Sequence, residues 1–278
     1  MEALTKYWGF YLVAAVDSNS VGVQDLHIAL DEVVRHQEWV SDLSRVPSED
    51  RASQNDLNSL IASKKLRKVL AARIVVFQLF LEVAIQVDGA LLEKHKRIWL
   101  LFQSFDPLEP LGTAHPFVRV MGQLHRASDE ALDTLIRRLD KIRDTYMPQT
   151  QFILAVDEAQ RLAMTFPHSF ISSTDPELPR SMIREVAKVS TILRGKLVVA
   201  GTGLSLEDLS DALASGVSKF EEVDLFHGLG MFDTPQKLKS FFQRYIPASI
   251  LESTSWLRLQ QRIREYLLGR SVNIFILN

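Results

Sequence analysis

The chain has no cysteine among its 278 residues, which removes disulfides, thiolate metal sites and a cysteine nucleophile at once. Its seven histidines form neither an HExxH pair nor a tight cluster. His115 and His125, beside a proline and at a helix start, read as surface residues. No nucleophile elbow and no dinucleotide-binding glycine pattern occurs. An excess of either charge is missing too. The formal net charge is −2 and the pI is near 6.4, so no global field draws the chain to nucleic acid or an anionic membrane. The densest basic run, Lys64, Lys65, Arg67 and Lys68, reads as a solvated helix end. The start, MEALTKYWGF, lacks a basic segment followed by an apolar core and is not a secretory signal.

What is present suits a folded globular chain. Hydrophobic residues make up 46% and charged residues 24%, enough to build a sizeable core and too few charges for bulk disorder. The run from Val69 to Val87 has the length of a bilayer span. Arg73, Gln78, Glu82 and Gln86 interrupt it at near-helical spacing, so it is expected to be a mostly buried helix rather than a membrane anchor. The absence of cysteine fits a reducing, intracellular setting, cytoplasmic or nuclear.

Taken in order, residues 2–8 read as the end of a helix closed by Gly9. Phe10 to Val16 reads as a strand and Gln24 to His36 as an amphipathic helix. A polar stretch over 41–56 precedes a helical block: Leu57 to Val87, a turn at Asp88-Gly89, Ala90 to Phe105, then Phe117 to Tyr146. After a second strand at Phe152–Val156, Arg161 to Pro179 reads as a loop beside the chemistry. Arg180 to Leu193 reads as a helix and Lys196 to Ala200 as another buried strand. Further on, Lys219 to Leu225 is an expected strand, and Leu204 to Ala214, Pro235 to Tyr245 and Ser255 to Leu268 are expected helices. Strands alternating with helices predict an α/β fold: one domain over residues 1–278, with a parallel sheet of at least four strands, helices on both sides, and a helical insertion over about 55–147.

The chemistry concentrates at QFILAVDEAQ, residues 151–160. A continuous apolar run suits a strand buried on both faces, and the acids Asp157 and Glu158 then emerge at its C-terminal edge, where open α/β sheets bind ligands. Apolar residues followed by Asp-Glu form the Walker B pattern. Its Asp helps to hold Mg²⁺, and its Glu orients or deprotonates the attacking water. Thr202, between Gly201 and Gly203 at the end of the next strand, can reach a γ-phosphate or that water. Arg270, with Arg262 and Arg264 before it, could meet a phosphate from across a cleft. A phosphate-binding loop GxxxxGK[ST] occurs nowhere in the chain. At the nearest decoy, Gly195-Lys196, Leu197 replaces the hydroxyl residue, and a strand rather than a helix follows.

The sequence of YWGFYLVAAVDS, a helical block with HKRIWLLFQ, then FILAVDEAQ, KLVVAGTGLSL and LLGR resembles the fungal Crinkler-like and retrotransposon-hot-spot-like P-loop ATPases of the AAA+/STAND class. The resemblance covers most of the chain, and the Walker B element is its chemically specific part. It implies Mg²⁺ at Asp157, a catalytic base in Glu158, a γ-phosphate sensor in Thr202 and, loosely, a second sensor in Arg270. ATP and Mg²⁺ are the cofactors of the intact family. In that family the phosphate loop lies just upstream of a strand like Phe10–Val16, so the resemblance implies a fold incomplete at its N-terminus, with strand edges left unpartnered and prone to self-association. The expected function is a truncated or degenerate ATPase domain, inactive alone. A non-enzymatic protein-interaction module that keeps the fold is the alternative. A Mg²⁺-dependent nuclease is a lesser one, with Asp17 and Asp224 as further acids.

Overall fold

The continuous apolar runs become the interior of a sheet, and the long apolar run at Val69–Val87 becomes part of the helix that covers it. The computed structural model describes residues 2–14, 22–105, 113–148, 150–172, 178–202, 223–226 and 272–277. Chain order begins with α1 (Glu2–Lys6), β1 (Trp8–Val13), α2 (Asp25–Val34), α3 (Arg51–Asp88), α4 (Glu93–Ser104), α5 (Pro116–Gln123) and α6 (Asp129–Tyr146). It continues with β2 (Phe152–Asp157), α7 (Gln160–Thr165), β3 (Phe170–Ile171), β4 (Pro179–Arg180), α8 (Met182–Thr191), β5 (Lys196–Thr202), β6 (Val223–Phe226) and β7 (Val272–Leu277).

The main sheet has the order β1-β2-β5-β7-β6. β1, β2 and β5 are parallel, so the α/β expectation holds as a three-strand parallel sheet flanked by helices. The expected fourth parallel strand is not found among the described residues. The far neighbour of β5 is β7, which runs antiparallel to both β5 and β6. An apolar run such as NIFIL carries no local mark of its direction, which is decided by the connection that delivers it.

Successive side chains alternate between the two faces of the sheet. Trp8, Phe10, Leu12, Phe152, Leu154, Val156, Leu197 and Val199 face the larger core with α2, α3, α5, α6 and α8. Tyr11, Val13, Ile153 and Ala155 face a smaller one with Leu4 of α1 and Leu100 of α4. Phe77 of α3 sits against Trp8, Phe10 and Phe152 at ring separations of 5.5, 5.8 and 5.9 Å. Tilted and edge-on pairs of this kind add about 0.5–1.5 kcal/mol each beyond the area they bury. The span 55–147 thus supplies a layer of the same core. The Val69–Val87 run is long and apolar enough to cross a membrane by composition alone, yet it packs on the sheet, with Arg73 fully buried. Gly89, at φ 74°, ends α3 in the left-handed cap that glycine adopts without strain.

Several expectations shift. β1 starts two residues early and takes in Gly9. The helix expected from Phe117 to Tyr146 is broken at Leu124–Arg126, because Ser128 caps a new helix by accepting from Ala131 N, with Asp129 and Glu130 in its first turn. His115 is buried, not on the surface. Its Nδ1 accepts from Phe117 N as the cap of α5, and Nε2 meets Phe102 O at 3.0 Å. The stretch after Glu158 is α7 and the short β3–β4 pair rather than a loop throughout. The basic run lies inside α3 rather than at a helix end, and only Lys64 keeps a well-exposed side chain. Lys65 pairs with Glu32, and Arg67 with Asp129 and Asp133 of α6. Lys68 is buried beside His125 O. Burial, with Lys65 and Lys64 nearby, holds its ammonium below the usual lysine range.

The outer edge of β1 is closed by side chains. Gly9 O accepts from Trp99 Nε1 at 2.8 Å and from Gln103 Nε2 at 3.2 Å. Tyr11 N donates to Gln103 Oε1, and Tyr11 O accepts from Arg73 Nη1. Polar backbone groups that would otherwise template another strand are thereby satisfied.

Candidate functional site

β2 delivers Asp157 to the C-terminal edge of the parallel strands, between β1 and β5. The turn that follows is fixed from three sides. Ala14 N donates to Asp157 O at 3.0 Å, Ala159 N to Ala200 O at 2.9 Å, and Arg161 N to Glu158 O at 2.9 Å. Glu158 itself sits at φ 53°, a left-handed conformation costing a non-glycine residue of order 1–3 kcal/mol, and strain of that kind clusters at functional sites. The turn directs the chain into α7, whose first residue, Gln160, donates through Nε2 to Glu158 Oε2.

Asp157 is held at both oxygens. Oδ1 accepts from Glu158 N at 2.9 Å, and Oδ2 accepts from the Tyr11 hydroxyl at 2.6 Å. Tyr11 is buried on β1 among apolar neighbours. Burial first, then the negative charge of Asp157 and the hydrogen bond to it, push the phenol far above its ordinary range and keep it a donor. On the β5 side, a Cβ on Gly201 would stand 2.4 Å from Gln160 Oε1 and 3.1 Å from Gln160 N. Glycine is needed there so that β5 and α7 can approach. Among the described residues, the buried Gln160 Oε1 has no hydrogen-bond partner.

Thr202 ends β5, two residues past Ala200 and at the same edge of the sheet as Asp157. Arg270, Arg262 and Arg264 lie outside the described residues, as do Asp17 and the helices expected over 204–214, 235–245 and 255–268. Asp224, the further acid weighed for a nuclease, lies in β6, opposite Ile276. Two intervening strands put it about 14 Å from β2 at the usual inter-strand spacing. Sequence reasoning missed Tyr11 and Gln160, while the close backbone approach expected at the glycines around Thr202 is seen at Gly201. A tyrosine inside an otherwise apolar strand signals a buried hydroxyl in need of a partner, and an acid ending the neighbouring strand is a ready one.

Among the described residues no group of three His, Cys, Asp or Glu could cage a metal. Mg²⁺ needs no such cage. It keeps several waters and is held by one or two carboxylates together with substrate phosphates, and a carboxylate has about four lone-pair sites, of which Asp157 has committed two. The donor set therefore fits a hydrated divalent cation on one carboxylate. It does not fit a triphosphate on its own, because the chain has no phosphate loop to supply a backbone N–H cradle and a lysine.

Compared with known proteins, the chain matches no protein family, no characterised protein and no solved structure. What the structure defines is the class: an α/β protein with a three-strand parallel sheet flanked by helices.

Proposed function

We propose that this chain is an ATPase-type domain of the AAA+/STAND class that keeps Walker B and sensor-like elements and lacks a Walker A loop. Asp157 takes the Mg²⁺ role, Glu158 the catalytic-base role and Thr202 the γ-phosphate sensor role, with Arg270 as a looser second sensor. ATP and Mg²⁺ are the ligands of the active ancestor, and the chain alone does not hydrolyse ATP. The observation that carries the reading is the sheet edge where Asp157 ends β2, Glu158 follows it and β5 ends alongside, which supports a metal ligand and a base held close together. Carboxylates repel phosphate unless a cation intervenes. Without the cradle and its lysine, the negative charge on the β- and γ-phosphates stays uncompensated.

A second reading, a non-enzymatic interaction module on the same fold, is favoured by one specific observation. The far neighbour of β5 is the antiparallel β7, so among the described residues no parallel strand there ends in a phosphate loop. Phosphate release from Mg²⁺·ATP, measured for the chain and for Glu158→Gln, tests the proposal. Both are expected at background. Turnover by the wild type that disappears in Glu158→Gln would mean that the phosphates are cradled by groups other than a Walker A loop.

A further inference from the structure

We propose that the Tyr11 hydroxyl is a positioning group for Asp157, holding the carboxylate so that its uncommitted lone pairs meet a hydrated divalent cation. The inference rests on the reading of the Asp157–Glu158 edge as a cation site, and adds to it a residue from a different strand.

The geometry is constrained from the backbone outward. Tyr11 N and O are both taken, by Gln103 Oε1 at 2.9 Å and Arg73 Nη1 at 2.8 Å. Arg73 is itself fixed by two hydrogen bonds to the buried Asp25, at 2.7 and 2.8 Å. The Tyr11 ring is 3% exposed and packed with Leu4, Val13, Leu100, Ile153 and Ala155. A residue held at both backbone groups and around its ring cannot swing, so its hydroxyl marks a fixed point 2.6 Å from Asp157 Oδ2. Glu158 N marks a second fixed point, 2.9 Å from Oδ1. Two donors on two oxygens set both the rotamer and the plane of the carboxylate, and leave about two of its four lone-pair sites uncommitted. Partners of this kind orient a metal ligand without touching the metal, and losing one typically weakens metal affinity about 10- to 100-fold. Tyr11 is thus expected to act on the cation through Asp157, and a hydroxyl that merely satisfies itself on the nearest acceptor would have no such effect.

The test is a titration of the full chain with Mn²⁺, reading free ion by its EPR signal and checking displacement by Mg²⁺. Wild type, Tyr11→Phe, Asp157→Asn and the double variant are compared. The expected result is Mg²⁺-displaceable binding that Asp157→Asn abolishes, that Tyr11→Phe weakens roughly tenfold, and that the double variant reduces no further than Asp157→Asn alone. Should Tyr11→Phe fold poorly, wild type labelled with ¹³Cζ-tyrosine serves instead. The Tyr11 resonance should shift on saturation with Mg²⁺ and stay fixed in Asp157→Asn. Unchanged or tighter binding in Tyr11→Phe, with binding still lost in Asp157→Asn, overturns the positioning role alone. An unmoved Tyr11 resonance during cation binding does the same. No Mn²⁺ binding by wild type, or binding that survives Asp157→Asn, overturns the cation-site reading and the positioning role with it.

Discussion

Replacing Arg73 with methionine should destabilise the fold more than almost any other single change. The guanidinium is fully buried and makes a two-pronged ion pair with Asp25, which is equally buried. It also donates to Tyr11 O and Gln103 Oε1, and it lies 4.4 Å from the centre of the Phe117 ring. The pair joins α2, α3, α4, α5 and the edge of β1. In Arg73→Met the Asp25 carboxylate keeps Leu26 N at 3.0 Å and loses its countercharge in a place without solvent. Breaking a buried pair in this way costs about 3–5 kcal/mol, a large share of a total stability of about 5–15 kcal/mol. The corresponding fall in melting temperature is roughly 6–20 °C for a chain of this size. Converting both partners, Arg73→Met with Asp25→Leu, should recover most of the loss, since the attraction inside largely offsets the desolvation of the two ions. Urea unfolding of the wild type, both single variants and the double variant gives the coupling directly. A loss below about 1 kcal/mol in Arg73→Met would place this pair among solvated surface ion pairs and refute the reasoning.

Two further outcomes follow from the same edge of the sheet. The folded chain holds the Tyr11 phenol above its ordinary range, chiefly by burial. Its contribution is therefore fully present below about pH 10, the value of an unfolded tyrosine, and is lost as pH rises beyond it; Tyr11→Phe should flatten the alkaline limb of a stability-versus-pH curve, and an unchanged limb would show that other groups cause it. Gln103→Ala removes the acceptor of Tyr11 N and one of the two donors to Gly9 O, so denaturant unfolding should show a loss of about 1–3 kcal/mol for the stranded N–H, whereas no loss would mean water reaches that edge.

How much of this was legible in the sequence depended on how local each signal is. The strands at Phe152 and Lys196 carry their evidence in five consecutive residues, and the acids at 157 and 158 mark the strand's end. The long helix shows in the near-helical spacing of Arg73, Gln78, Glu82 and Gln86. The break at Ser128 was legible too, as a cap followed by two acids, but the apolar spacing on either side concealed it. What could not be read was whatever depends on distant partners. The Tyr11–Asp157 contact spans 146 residues. The burial of Arg73 follows from Asp25, 48 residues away, and nothing near Arg73 announces it. The basic run at 64–68 looked solvated because its carboxylates sit on two other helices. The direction of β7 had no signature at all.

The central claim of the proposal is that Asp157 holds a cation at the C-terminal edge of the sheet, beside the end of β5. Mn²⁺ added to the chain with ¹³C-methyl-labelled threonine tests it most directly, because paramagnetic broadening falls with the sixth power of distance. At ordinary strand geometry the Thr202 position lies about 8 Å from Asp157, and Thr150, beyond the other end of β2, about 23 Å away. The account predicts that the Thr202 methyl resonance disappears at Mn²⁺ levels that leave Thr150 sharp, and that Asp157→Asn restores it. A Thr202 resonance that stays sharp while Thr150 broadens would contradict it, placing the cation at the opposite end of the strands.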